Sequence, residues 1–109
     1  MRRQLIIDLE TSALTPEVGD IIRFRAENVA NPEDAFDEWA MPPRMLSADA
    51  EKIIGTTNDR LARCRPLRDV FRDFLDFIEG AEILGDRLDF ELAFLKAATS
   101  ALSEAINYK

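Results

Sequence analysis

The feature that most constrains this chain is an apolar run near its start that carries two acids. Residues 5–10 read LIIDLE, with Asp8 inside the run and Glu10 directly after it. The apolar residues predict a buried central strand, where an unpaired charge costs several kcal/mol unless a partner or a metal ion compensates it. The position of these two carboxylates therefore needs an explanation.

Length and composition limit the chain to one globular domain, residues 1–109. Apolar residues make up 47% of the chain and charged residues 32%. No run approaches the roughly 20 apolar residues of a membrane span, so we expect a soluble protein without membrane contact. The opening MRRQLIID is interrupted by Asp8 too early for a signal peptide, which predicts a cytoplasmic location.

The titratable residues restrict the chemistry. The chain has one cysteine, Cys64, and no histidine, so zinc-type clusters and imidazole bases are excluded and any metal must sit on oxygen ligands. The net charge of −7 argues against a broad electrostatic grip on nucleic-acid phosphates. A local contact, or a metal that bridges an acid and a phosphate, remains compatible with this charge.

The first part of the chain predicts three strands. The stretch TPEVGD forms a turn between the opening strand and DIIRFRAENV, and ANPED leads into a third strand in AFDEWAM, which Pro42 and Pro43 end. Helices follow. Ser47 and Gly55 bound a short one, and LRDVFRDFLDFIEG repeats apolar residues at helical spacing up to Gly80. A short strand in EILGD and a long helix in DFELAFLKAATSALSEAI complete an α/β mixed sheet with packed helices.

Two interpretations of Asp8 and Glu10 follow from the residues alone. They are either a solvated pair at the end of a strand or, because alternation puts them on one face, a place for a divalent metal beside a phosphate. The second interpretation requires a third acid from elsewhere in the chain.

The motif IIDLETSAL resembles the first motif of the DnaQ-like (DEDD) 3′-to-5′ exonucleases, as in the proofreading domain of DNA polymerase III of the epsilon and PolC type. The similarity continues in order through GDIIRFRAENV, IIGTTNDRLARCRPLRDVFRDFLDFIEGAEIL and DFELAFL. It spans nearly the whole chain. The resemblance implies a ribonuclease H-like fold and hydrolysis of DNA or RNA from a single-stranded 3′ end by two-metal catalysis.

The resemblance also implies roles for particular residues. Asp8, Glu10 and Glu91 would be the catalytic acids that bind Mg²⁺ or Mn²⁺, and Thr11 and Leu14 would touch the terminal nucleotide. Glu91 stands where the family has an aspartate, and a first-turn acid favoured by the helix dipole explains it equally well. A threonine and a leucine where a strand meets a turn are also ordinary structural residues.

Several positions depart from the family pattern. Asp86 and Arg87 replace its usual histidine and asparagine, Arg23 and Arg25 replace a glutamate and a glycine, and Ala13 replaces a glycine. Each substitution either disturbs the site or only remodels a surface.

The family's third motif, with a general base and a fourth acid, has no counterpart in the chain. The resemblance therefore predicts a truncated domain, incomplete at its C-terminus, that binds metal weakly if at all and is inactive in isolation. The alternative is a non-catalytic protein-interaction module that keeps the exonuclease fold. A protein partner or a second copy of the chain would then complete the sheet.

Overall fold

A computed structural model describes the backbone of residues 2–107 and the side chains of residues 2–99. The elements in chain order are β1 (Gln4–Thr11), β2 (Ile21–Asn28), β3 (Asn31–Trp39), α1 (Ala48–Ile54), α2 (Asn58–Leu61), α3 (Leu67–Ile78), β4 (Glu82–Leu84) and α4 (Leu88–Asn107). Within residues 2–107, no helix has the length and apolar character needed to cross a membrane.

The four strands form one mixed sheet in the order β3-β2-β1-β4. Strand β1 pairs with β2 in antiparallel fashion and with β4 in parallel fashion, and β2 pairs with β3 in antiparallel fashion. This confirms the predicted mixed sheet and the central position of β1. The register sets Asp8 opposite Arg25 and Glu10 opposite Arg23, so the acids of β1 face the arginines of β2.

Alternation along β1 divides its side chains between two faces. Leu5, Ile7 and Leu9 are buried, whereas Ile6 is 48% exposed. The prediction that Ile6 is buried with its neighbours was wrong, because side chains along a strand point alternately to opposite faces and only one face of β1 meets the helices at this point. Asp8 follows the parity of Ile6 and lies away from the core.

Helix α3 covers the buried face of the sheet. Phe74 is fully buried, and its ring centroid lies 5.0 Å from that of Phe24 in β2 and 5.5 Å from that of Phe36 in β3. Val70 and Phe71 are buried beside it. The apolar face predicted for this helix is therefore the core, and the sheet is held rigidly from that side.

A register shift in β2 lets two consecutive isoleucines enter different cores. The pairing moves from Arg23 opposite Glu10 to Ile21 opposite Thr11, so Ile22 is the extra residue of a bulge. Ile21 packs in the main core, whereas Ile22 packs with Leu46 and Leu61 in a second cluster. This second cluster attaches α1 and α2 to the same end of the sheet as Glu10.

The predicted helix ends are largely confirmed. Ser47 caps α1, since its side chain accepts a hydrogen bond from the Ala50 N–H, and Gly55 follows α1 with a positive φ of 82°. Gly80 also has a positive φ, 76°, just beyond α3. The sequence did not predict α2, a single turn that Thr57 caps.

Candidate functional site

Asp8 forms an ion pair across the sheet. Its carboxylate accepts a hydrogen bond from Arg25, the residue directly opposite in β2. Both side chains are accessible, with 53% of Asp8 and 36% of Arg25 exposed. Exposed pairs of this kind contribute about 0–1 kcal/mol, so solvent and salt compete with this contact.

Glu10 pairs with Arg23 in a less exposed contact, with 28% of the Glu10 and 23% of the Arg23 side chain exposed. The Nη1 of Arg23 donates to the Glu10 carboxylate at 3.1 Å, while its Nε and Nη2 donate to the two carboxylate oxygens of Asp37, both at 2.9 Å. The guanidinium also lies 4.7 Å from the ring centroid of Trp39. The hydrogen bond from Arg23 lowers the pKa of Asp37 below its usual value. We call Asp8, Glu10, Arg23, Arg25 and Asp37 the ion-pair network.

Glu91 lies in the first turn of α4, beside β1. Only 2% of the residue is exposed, and its Oε2 accepts a hydrogen bond of 2.9 Å from the backbone N–H of Leu9. Directly before β1, the Arg3 carbonyl accepts a hydrogen bond from the Glu82 N–H of β4, so the odd-numbered residues of β1 direct their backbone groups toward β4. Because the β4 pairing stops at Leu84, the Leu9 N–H has no strand partner there, and Glu91 supplies the acceptor.

The absence of a side chain at Gly85 leaves space for the Glu91 carboxylate. A Cβ at Gly85 would lie 2.7 Å from Glu91 Oε1, so a larger residue would collide with the carboxylate unless Glu91 moved. Oε1 is buried and has no hydrogen-bond partner within the described residues. Burial is the main reason that the pKa of Glu91 is raised, and the negative charge of Asp8 adds to the effect.

The two residues that the resemblance assigns to the terminal nucleotide lie where β1 enters the following loop. The Thr11 hydroxyl donates to the Ala13 carbonyl at 2.8 Å, and Leu14 is 84% exposed. Arg44 fixes the far side of the loop by donating to the carbonyl oxygens of Glu17 at 3.0 Å and Gly19 at 2.9 Å. The loop therefore holds an apolar side chain out toward solvent at the site end of the sheet.

Asp8 and Glu10 of β1 and Glu91 of α4 thus lie near the same part of β1, but each has a different partner. Asp8 and Glu10 contact arginines, and Glu91 contacts a backbone N–H. Within the described part of the chain, no three Asp, Glu, Cys or His side chains are grouped so that they could hold a metal ion. In this arrangement the acids do not fit a shared metal ion, and their role as ligands stays a prediction.

The sequence pointed to Asp8, Glu10 and Glu91 but not to all of the residues that contact them. It noted Arg23 and Arg25 only as departures from a family pattern, and it missed Asp37 and Trp39. The signal was present in the spacing, because each of the three strands carries two site residues separated by one position: Asp8 and Glu10 in β1, Arg23 and Arg25 in β2, Asp37 and Trp39 in β3. Only the register shows that these pairs meet.

The chain is similar in sequence to bacterial proteins named DNA polymerase III PolC-type. No protein-family model matches the chain. DNA polymerase III PolC-type of Bacillus subtilis is 32% identical over 102 residues, which are 92% of this chain and 7% of the relative. The Lactococcus lactis protein of the same name is 30% identical over 93 residues, which are 84% of this chain and 6% of the relative. The chain thus spans only 6–7% of the length of these relatives.

Solved structures share the fold. Exonuclease I superposes with a TM-score of 0.77 at 15% identity, over 92% of this chain and 24% of that protein. A full-length 3′-exonuclease superposes with a TM-score of 0.60 at 24% identity, over 79% of this chain and 35% of that protein. These similarities confirm the predicted α/β, ribonuclease H-like fold. Together with the similarity to PolC-type polymerases, they support the resemblance of the chain to an exonuclease-like domain of the DnaQ-like family.

Proposed function

We propose that this chain is an exonuclease-like domain that binds the single-stranded 3′ end of a nucleic acid but does not hydrolyse its phosphodiester bonds. The observation that carries the proposal is the position of Glu91, the third acid that the family resemblance supplies. Its carboxylate is turned to the Leu9 N–H and is buried, rather than grouped with Asp8 and Glu10 around a common point. The exonuclease family generally depends on divalent metals. Because Glu91 accepts a hydrogen bond from the backbone instead, it is not available as a metal ligand for that chemistry.

The other residues of the site do not compensate for this loss. Two-metal hydrolysis needs oxygen ligands for both ions and a group that orients the attacking water. The chain contains no histidine, and the carboxylates of Asp8 and Glu10 already pair with arginines. Misplacement of a reacting group by about 1 Å costs on the order of a hundredfold in rate. Loss of a ligand should cost more.

The test is a nuclease assay on labelled single strands of DNA and RNA with Mg²⁺ or Mn²⁺. The parent is compared with Asp8→Ala and with Asp73→Ala, a matched control that removes an acid paired with Arg65 elsewhere on the surface. We expect no nucleotide release by the parent above the level of Asp8→Ala. Release by the parent and by Asp73→Ala, but not by Asp8→Ala, would overturn the proposal.

The exposed Leu14 supports a binding role at a single-stranded 3′ end. A similar fold, at a TM-score of 0.61, belongs to a 3′-exonuclease whose structure concerns 3′-end specific recognition of histone mRNA stem-loop. In the present chain, Leu14 is 84% exposed on a loop that internal hydrogen bonds hold in place. Apolar surface on a fixed loop suits contact with the face of a terminal base, and we propose this role for Leu14, with Thr11 beside it.

Fluorescence anisotropy with short single strands tests this contact. We expect Leu14→Ala to weaken binding several-fold, whereas Val18→Ala, a matched change on the same loop at a residue that is 67% exposed, leaves the affinity unchanged. The parent should also bind a strand that ends in a 3′-phosphate more weakly than one that ends in a 3′-hydroxyl, since the added negative charge lies close to the acids of the site. Equal affinities of the Leu14 and Val18 variants would contradict the assignment.

A further inference from the structure

We propose that an apolar groove between α3 and α4 binds an amphipathic helix of a partner protein, and that this partner helix carries acidic residues beside its apolar face. The groove lies on the face of the sheet that the helices cover, whereas Asp8 lies on the opposite face. Neither Leu14 nor any of the acids Asp8, Glu10 and Glu91 lines it. The groove is therefore separate from the residues to which the proposed function refers.

The groove is a depression of about 550 Å³ that mostly apolar side chains line. Ile21, Phe71 and Phe94, which are 2–3% exposed, form its floor. Its walls come from the β1–β2 loop, the loop after β3, the start of α3 and the middle of α4. The volume lies within the roughly 300–1,000 Å³ of pockets that bind ligands, so the groove offers enough apolar surface for a specific contact.

Hydrogen bonds hold the walls of the groove in place. The Met41 N–H donates to the Arg65 carbonyl at 2.8 Å, and the Leu67 N–H donates to the Met41 carbonyl at 2.9 Å. These bonds attach the loop after β3 to the start of α3. Arg44 attaches the same loop to the β1–β2 loop by donating to the Gly19 carbonyl at 2.9 Å. Because the groove is already formed, a partner does not have to order it on binding.

The shape of the groove favours a helix over a small molecule. A small-molecule site encloses most of its ligand, whereas this groove is open to solvent on one side. An amphipathic helix buries only its apolar face and leaves the other face in water. Ala97 and Ala98 line the groove from α4. Their short side chains allow a partner helix to approach α4 closely, since the distance between packed helices depends on the side chains at the contact.

The exposed charges at the rim of the groove are positive. Arg68 is exposed and forms no ion pair within the described residues. The Arg44 side chain is 48% exposed, whereas that of Asp20, with which it pairs, is 11% exposed. The other acid of the lining, Asp69, is half-buried in the first turn of α3, where the helix dipole offsets part of its charge. An approaching partner therefore meets the arginines first, which favours acidic residues beside its apolar face.

The experiment measures binding of fluorescein-labelled peptides to the full chain by fluorescence anisotropy. Three peptides of about four helical turns are compared. The first has leucines on one face and glutamates along the edge of that face, the second has lysines in place of the glutamates, and the third is a scrambled form of the first. We expect saturable binding of the glutamate peptide, with an affinity at least about tenfold higher than that of the other two.

Substitutions at exposed positions locate the contact. Ala97→Glu should weaken binding of the glutamate peptide at least about tenfold, because it places a charge in the apolar groove. Ala93→Glu is the matched control, since Ala93 is also exposed on α4 but does not line the groove. Circular dichroism melting confirms that each variant is folded.

A second pair of variants tests the charge at the rim. Arg68→Gln should weaken binding by roughly two- to fivefold, the effect of one exposed ion pair. Arg2→Gln, which removes the same charge ahead of β1 and outside the groove, should leave the affinity unchanged. This pair keeps the test valid even if Ala97→Glu unfolds. Peptide-induced changes in the amide chemical shifts should centre on Ile21, Leu67 and Phe71.

Several results would overturn the inference without bearing on the absence of hydrolysis. The first is no saturable binding of the glutamate peptide, or equal binding of the lysine or scrambled peptide. Equal losses in Ala97→Glu and Ala93→Glu would place the contact elsewhere. A parent dimer in sedimentation that Ala97→Glu dissociates would assign the groove to a second copy of the chain. Binding of anilinonaphthalene sulfonate that Ala97→Glu abolishes, without peptide binding, would assign it to a small anion.

Discussion

The backbone N–H of Leu9 donates a hydrogen bond of 2.9 Å to the carboxylate of Glu91, which lies 82 residues further along the chain. The bond fills a gap in the sheet, because β4 ends before it can pair with this part of β1. An aspartate, which the family resemblance places here, is shorter by one methylene group. The additional methylene of Glu91 extends the carboxylate toward the backbone of β1, so the substitution suits a structural role.

Substitution of Glu91 separates this structural role from a metal-binding role. We expect Glu91→Asp to lower the free energy of unfolding by about 1–3 kcal/mol, because the Leu9 N–H loses its acceptor while a buried carboxylate remains. Glu91→Gln keeps an oxygen at the same reach and should be at least as stable as the parent at pH 7. Urea titrations of the three proteins provide the comparison. A Glu91→Asp variant as stable as the parent would argue against a stabilising hydrogen bond between Glu91 and the backbone of β1.

The raised pKa of Glu91 predicts a specific pH dependence of stability. Because the pKa is higher in the folded than in the unfolded state, the stability that protonated Glu91 contributes is full below its unfolded pKa. That stability is lost as the pH rises through the folded pKa. The stability of Glu91→Gln relative to the parent should therefore increase as the pH rises from about 4, near the ordinary pKa of glutamate, toward neutrality.

Unfolding titrations of parent and variant at matched pH values measure this difference. Other carboxylates, including Asp34 and Asp37 with lowered pKa values, titrate in both proteins, so their contributions cancel. A constant difference across the pH range, or one that decreases toward neutrality, would show that the Glu91 pKa is not raised by folding.

Phe74 should be among the most costly residues to truncate. It is fully buried, and its ring lies between those of Phe24 and Phe36. We expect Phe74→Ala to lower the free energy of unfolding by roughly 3–5 kcal/mol. Ile53→Ala, at a residue that is 85% exposed, should change it by less than about 0.5 kcal/mol. A loss below about 1 kcal/mol for Phe74→Ala in denaturant titration would show that the ring is not a core element.

Much of the fold follows from local patterns in the sequence. The helical spacing of Val70, Phe71 and Phe74 predicts the buried face of α3, and Ser47 and Gly55 mark the ends of α1. These features depend on residues within a few positions of one another, so the sequence contains the whole signal. The single turn of α2 was not predicted, and neither was the exposure of Ile6, since an apolar run does not show which face of a strand meets the core.

The site depends on contacts between distant segments, and its details were therefore less predictable. The resemblance drew attention to Asp8, Glu10 and Glu91, but not to the groups that contact them. Arg23 meets Glu10 only because of the register on both sides of the bulge at Ile22. The Glu91 carboxylate reaches Leu9 only because β4 is short and Gly85 lacks a side chain.

We propose that the native fold holds the acids of this site without a divalent metal. Crystals of the parent protein soaked in Mn²⁺ and measured for anomalous scattering at the manganese edge test this most directly. We predict no anomalous peak within coordination distance of Asp8, Glu10 or Glu91, with Arg23 and Arg25 still paired to their carboxylates. A manganese peak ligated by Asp8 and Glu10, with the two arginines displaced, would contradict it.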